Sequence, residues 1–226
     1  MEGGIRVEKS LEKASLTVEQ VKKLFIYTGE KVQENKQLLT KIDGAIGDGD
    51  HGIGMSLGFK KANEKLRETE FTTVNEIFKT IGVSMISSMG GASGVIFGTL
   101  FTGGLKGLDP QETLDSNLLA NILENALNAI KQRGKADLGD KTMIDALEPA
   151  VLALKQKAEN DAGLLACLKA AEEAAAQGVE KTKSYIAKFG RAKTLGERAI
   201  GHQDAGATTV WIIFKSMKEY IENLSV

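Results

Sequence analysis

Glycine constrains what this chain can fold into, through where it falls more than through its abundance. Seventeen of the 25 glycines lie in three stretches, six in 44–58, seven in 90–107 and four in 190–206. The segments between carry helical period. Val18, Val21, Leu24, Phe25, Thr28 and Val32 recur at three-four spacing in a segment ending near Leu39. Val74, Ile77, Phe78, Ile81 and Met85 repeat the pattern, as do Leu119, Ile122, Leu123, Leu127 and Ile130. Longer helices are predicted over 143–158 and 164–186, shorter ones over 55–67 and 92–105. The run Val210-Trp211-Ile212-Ile213-Phe214 alone would fit a buried strand, but Met217, Ile221 and Leu224 extend its three-four spacing, so a helix is predicted. Pro149 falls inside a helical pattern, where it should kink the helix or mark its first turn.

This reading gives about eight helices, no convincing strand and short connections, so neighbouring helices should run antiparallel in one all-α domain. Two prolines and 5% aromatic residues are poor material for a β-sandwich or barrel. Residues 1–15 read as a flexible N-terminal extension and 16–226 as the domain. Lys plus Arg number 29 against 30 Asp plus Glu, which argues against a nucleic-acid binder. The single cysteine, Cys167, excludes an internal disulfide and a cysteine-built zinc site. No apolar run approaches the roughly 20 residues of a membrane span, and the polar start carries no signal-peptide core. A cytoplasmic protein is the expectation.

The glycine clusters carry the chemistry. The first reads Asp43-Gly44-Ala45-Ile46-Gly47-Asp48-Gly49-Asp50-His51-Gly52. Its Gly47-x-Gly49-x-x-Gly52 matches a dinucleotide fingerprint, but a helical pattern precedes it and aspartates occupy two filler positions. An EF-hand fails as well, since Gly52 and Phe59 fall where a ligand and a glutamate belong. Three carboxylates in eight residues would repel one another without a cation, and hard divalent cations take oxygen ligands from carboxylates and phosphates. Asp43, Asp48 and Asp50 are therefore the candidate metal ligands. The bland alternative is a solvated turn in which Asp50 or His51 caps the next helix.

Met89-Gly90-Gly91-Ala92-Ser93-Gly94 runs into a helix start, where free N–H groups offer an anion site. The sequence has no Walker ending, so a P-loop is excluded. Gly139-Asp140-Lys141-Thr142-Met143 reads as a helix start with Thr142 and Asp145 spaced as a capping box. Arg191 suits phosphate recognition, being forked and permanently charged. Asp204 is placed to cap the last helix. Both histidines, His51 and His202, sit in glycine clusters with no nucleophile neighbour that would make a hydrolytic triad.

Together these segments resemble the L subunit, or nucleotide-binding domain, of dihydroxyacetone kinases. The match rests on Asp43-x4-Asp48-Gly49-Asp50-His51-Gly52, Gly90-Gly91-Ala92-Ser93-Gly94, Gly139-Asp140-Lys141-Thr142-Met143, Gly190-Arg191-Ala192 and Gly201-His202-Gln203-Asp204-Ala205-Gly206, all in the family's order. The resemblance implies an eight-helix antiparallel up-and-down barrel with nucleotide-binding loops at one end. It implies that Asp43, Asp48 and Asp50 hold two Mg2+ ions against the phosphates of ADP or ATP. His51, Gly52, Ile53, Gly54, Ala92 and Ser93 would line the phosphate and ribose region. Gly134, Thr142 and Met143 would flank the nucleoside, and Arg191 with Asp204, Ala205 and Gly206 would complete the pocket. Ser93 and Arg191 would act as phosphate stabilisers, with no general base in this chain. Gly54 stands where the family often has asparagine, and Ala205 where proline is frequent.

The implied activity is phosphoryl transfer to dihydroxyacetone bound on a separate K subunit. In the phosphoenolpyruvate-dependent version a phosphocarrier M subunit recharges ADP that stays bound as a coenzyme. An ATP-exchanging subunit for another keto-sugar or a fatty acid, and a nucleotide-loaded module that signals to a transcription regulator, are the competing expectations. Homodimerisation is open, and neither nucleic acid nor membrane is an expected partner.

Overall fold

The computed structural model describes residues 15–224, so the predicted extension over 1–15 lies almost wholly outside the described residues. Nine α-helices are described: α1 (Val18–Glu34), α2 (Lys36–Ile46), α3 (His51–Glu68), α4 (Val74–Ser88), α5 (Gly91–Thr102), α6 (Ser116–Gly134), α7 (Ile144–Glu159), α8 (Leu164–Thr182) and α9 (Ala205–Leu224). Short 3-10 segments cover Gly103–Leu105 and Arg191–Ala199. The expectation of no strand needs a small correction. Two-residue strands β1 (Leu16–Thr17) and β2 (Thr113–Leu114) pair antiparallel, with Leu16 opposite Leu114.

Successive helices pack side by side in the order α1, α3, α4, α5, α6, α7, α8 and α9, and α9 packs back on α1. Eight helices therefore close a ring, with α2 lying outside it against α3 and α9. Periodicity had joined α1 and α2 into one helix, but the chain breaks at Asn35, whose side-chain amide donates to the Lys31 carbonyl at 2.8 Å. That local bond competes with continued helix, as short amide side chains tend to.

The ring interior is filled rather than open. Phe25 packs edge-on against Phe78, ring centres 4.9 Å apart, and against Phe101 at 5.8 Å. A void of about 20 Å3 lies among Phe78, Leu119, Leu147, Val210 and Phe214, about the size of one water. Fully burying such side chains contributes roughly 1.5–3 kcal/mol each. Pro149 lies past the first turn of α7, which runs on to Glu159 without ending there. Its missing N–H leaves the Asp145 carbonyl free of its usual helical donor, and that carbonyl faces Gly178 of α8.

Because the ring helices alternate in direction, their connections divide between two ends. At one end, here the base, β1 meets β2, Lys22 reaches Thr69 and Glu70, and the Val74 N–H donates to Gln111. At the other end stand the connections α2–α3, α4–α5, α6–α7 and α8–α9, which carry loop residues of all three glycine clusters, although Gly103, Gly104 and Gly107 of the second lie in the α5–α6 connection at the base. No helix among the described residues is long and apolar enough to cross a membrane.

Candidate nucleotide and metal site

Asp43 sits in the last turn of α2, not in a loop as expected, and Asp48 and Asp50 follow in the turn leading to α3. Gly49 between them adopts φ +77°, the left-handed region that lets the turn fold back sharply. Gly52 in the first turn of α3 lies against the Lys36 carbonyl and the Thr40 backbone, leaving no room for a side chain. This approach brings α3's start onto α2. As a result, one carboxylate oxygen each from Asp43, Asp48 and Asp50 lies within 4.8 Å of the others.

The electrostatics match a cation site. At Asp50, desolvation and then the adjacent Asp48 charge push the carboxyl above its usual range. At Asp48 desolvation works the same way, but Arg191 and hydrogen bonding within the turn prevail and hold it low. Arg191 Nε stands 2.8 Å from Asp48 Oδ2 while its side chain is 79% exposed. Hard oxygen donors this close, with a largely solvated cationic partner, suit Mg2+ or a similar divalent ion. A cleft of about 630 Å3 opens beside them, lined by Ala45, Gly47, Asp48, Gly190, Arg191 and Leu195.

The helix starts at this end point their donors outward. The N-cap positions of α3, α5 and α7 are Asp50, Gly90 and Met143, and none makes a side-chain cap hydrogen bond. Asp50 thus occupies the capping position without spending its carboxylate there. Uncapped N–H groups at a helix N-terminus favour phosphate oxygens. Ala92 and Ser93 lie in the first turn of α5, Ala92 exposed and Ser93 half-buried. Gly54 contacts Met89, just before α5, which joins the α3 and α5 starts. Ile53 is exposed on the same turn.

Thr142 and Met143 precede α7 rather than begin it. Half of the expected capping box is made: Asp145 Oδ2 accepts from the Thr142 N–H at 2.8 Å and its Oδ1 from Gly139, while Thr142 Oγ1 accepts from the Ile144 N–H and not from Asp145. Met143 packs against Gly206 of α9. Asp204 caps α9 by accepting from the Ala207 N–H at 2.7 Å, and desolvation pushes its carboxyl up to about 7. Ala205 is buried in the first turn. Gly134 closes α6 against Ile96 of α5.

His51 stands beside the carboxylates and also ties two helices together. Its ring is buried, with Nε2 2.8 Å from Thr209 Oγ1, and burial lowers its pKa to about 4. It is a neutral tie between α3 and α9, and only its backbone N–H turns to the carboxylates, donating to Asp43 at 3.2 Å. Sequence reasoning missed Thr209, whose spacing marks it merely as part of a helix. It also gave Lys141 no role of its own within a helix start, although the residue is 2% exposed.

The comparisons agree with this geometry. A family model described as the DAK2 domain matches residues 45–219. The ADP-binding subunit DhaL of PEP-dependent dihydroxyacetone kinase 1 from Listeria innocua is 44% identical over 84% of this chain and 89% of its own length. The corresponding subunit from Escherichia coli is 36% identical over 90% of this chain and 97% of its own. Among solved structures, the dihydroxyacetone kinase from C. freundii in complex with AMP-PNP and Mg2+ superposes with a TM-score of 0.70 at 26% identity. That match covers 92% of this chain and 35% of the larger one, so this chain spans about a third of that kinase.

Proposed function

The chain belongs to the DAK2 domain family, and from that premise we propose that it is the nucleotide-holding subunit of a phosphoenolpyruvate-dependent dihydroxyacetone kinase. It keeps ADP as a bound coenzyme, takes a phosphoryl group from a phosphocarrier M subunit, and passes it to dihydroxyacetone on a separate K subunit in the cytoplasm. The observation that carries this reading is the Asp43, Asp48 and Asp50 cluster set at the uncapped start of α3. Relatives matched over nearly their whole length are named as ADP-binding subunits of such kinases, which supports the same reading.

Asp43, Asp48 and Asp50 are the residues that would hold two Mg2+ ions. When bound, these ions supply positive charge that offsets the phosphates and the charge spread in transfer. The rest falls to the chain itself. N–H groups at the starts of α3 and α5, with the Ser93 hydroxyl, orient phosphate oxygens. Arg191, paired with Asp48 and largely solvated, is free to exchange that partner for a phosphate. Thr142, Met143 and the Asp204–Gly206 turn form the nucleoside side, where Met143 leaves little room for a side chain at Gly206. Phosphoryl transfer is chiefly positioning and charge stabilisation, so this chain needs no general base. The acceptor hydroxyl arrives from the partner.

Nucleotide and magnesium content of the purified, dialysed protein tests the proposal. Denaturation followed by anion-exchange chromatography and elemental analysis should give about one ADP and two Mg2+ per chain. A protein that binds neither ADP nor ATP with Mg2+ under any condition refutes it. Weak, freely exchanging ATP would instead identify an ATP-dependent kinase subunit.

A further inference from the structure

The chemistry above leaves one buried charge without a task. Lysine is almost never fully buried unless paired, yet Lys141 is 2% exposed. Its Nζ donates to the Thr182 carbonyl and to the His202 carbonyl, both at 2.5 Å. The charges of Asp204 and Asp145 favour the ammonium against the desolvation that lowers its pKa. The residue holds φ 60°, a left-handed conformation that a non-glycine residue keeps only where its surroundings impose it.

The two carbonyls have a specific place in the chain. Thr182 ends α8 and His202 stands just before α9, so they are the two feet of the connection that carries Arg191. The same neck is closed by the Gly201 N–H donating to the Lys183 carbonyl at 2.7 Å and the Asp204 N–H donating to Thr182 Oγ1 at 2.9 Å. A strut follows on the Arg191 side, where the Lys188 N–H donates to the Asp140 carbonyl and Lys188 Nζ pairs with Asp140 at 2.6 Å. Holding the two ends of a connection close in this way restricts the arrangements open to the residues between them.

We propose that Lys141 is a positioning residue: by bridging the Thr182 and His202 carbonyls it locks the neck of the 183–204 loop and so presents Arg191 to Asp48 and to the nucleotide phosphates. Burial keeps Lys141 itself from touching a ligand, so it acts through the loop. The proposal rests on the nucleotide reading for its phosphate half, while the locked neck is a property of the protein without ligand.

The test uses the full chain as wild type, Lys141→Met, Arg191→Ala and the double variant. Hydrogen exchange is measured over amides 184–203, and ADP–Mg2+ affinity by calorimetry. Lys141→Met should speed exchange in the loop by about tenfold or more while leaving α1, α3 and α4 protected. It should weaken ADP–Mg2+ by about tenfold, yet by less than about twofold once Arg191 is already alanine. Loop exchange equal to wild type overturns the proposal, as does an affinity loss that multiplies fully in the Arg191→Ala background. General destabilisation would produce that second result. If Lys141→Met does not fold, Lys141→Gln, which keeps a neutral donor at the neck, decides by the same two readouts. Wild type that binds no ADP–Mg2+ would defeat the nucleotide reading alone, and the exchange result would still decide the neck.

Discussion

The two ends of the helical ring treat their helix termini in opposite ways. At the base, Thr17 and Thr73 form complete capping boxes with Gln20 and Glu76, and Asp115 accepts from the Leu118 N–H at 2.8 Å. Only Gly163, which has no side chain to offer, leaves its helix uncapped there. At the site end, Asn35, Asp50, Gly90 and Met143 make no side-chain cap bond, and Asp204 is the exception. Backbone donors at that end rely less on side-chain N-caps, and the crowded carboxylates meet only partial compensation, from the Arg191 guanidinium and the His51 N–H. Local rules of stability are met where the fold is held together and left unmet where a ligand is to complete them.

That contrast can be broken from either side. The largest effect belongs to the interior: Phe78→Ala should cost about 3–5 kcal/mol in denaturant unfolding, with ADP–Mg2+ affinity of the folded protein unchanged. Asp48→Asn should do the reverse, weakening ADP–Mg2+ on the order of 100-fold, equivalent to about 3 kcal/mol. Its unfolding midpoint without ligand should match wild type. Equal affinity in the two proteins would remove Asp48 from the metal site.

The buried titratable groups of the site end sharpen the contrast through pH. His51 has a folded pKa near 4 against 6.5 unperturbed, so its contribution is present above 6.5 and lost as pH falls toward 4. Asp204, raised from 3.8 to about 7, contributes stability below 3.8 that is lost as pH rises through 7. The two oppose each other over most of that window, His51 by about 3 kcal/mol and Asp204 by about 4 kcal/mol at full strength. Relative to wild type, His51→Gln should gain stability as pH drops from 6.5 to 4.5, and Asp204→Asn should lose it. Unfolding curves of the metal-free proteins at the two pH values measure the signs. The smallest effect is at the base, where Thr73→Ala should cost about 1 kcal/mol through its lost cap and leave binding untouched.

What could be read from sequence follows from what each signal encodes. Helical period located the ring helices whose buried stripes are continuous, whereas α5, buried over consecutive residues 97–101, carries no such stripe and was placed by its span alone. It could not see the break at Asn35, since Leu39 is the first buried side chain of α2 and falls in phase with α1. Composition placed Asp43, Asp48 and Asp50 together because three like charges so close demand a cation, but it assigned Asp43 to a loop when α2 in fact reaches Ile46. The long-range ties of His51 and Lys141 were not legible, for a shared reason. Their roles depend on partners 158 and 61 residues away, Thr209 and His202, and no local pattern records a contact of that span. Lys141 is doubly hidden, because lysine normally signals a solvated surface.

The closing of α9 onto α1 has a consequence for how the molecule can be cut and joined. Tyr27 of α1 packs on Tyr220 near the end of α9, ring centres 5.8 Å apart, so Leu16 and Leu224 both finish at the base. In a ring that returns to its own beginning, chain order is separable from architecture. A short linker from Leu224 to Leu16, with new ends opened in the 69–73 or 160–163 connection, would give a circular permutant with the same ring. All four loops of the site would remain uncut, and any polypeptide fused at the base would stand a full helix length away from them.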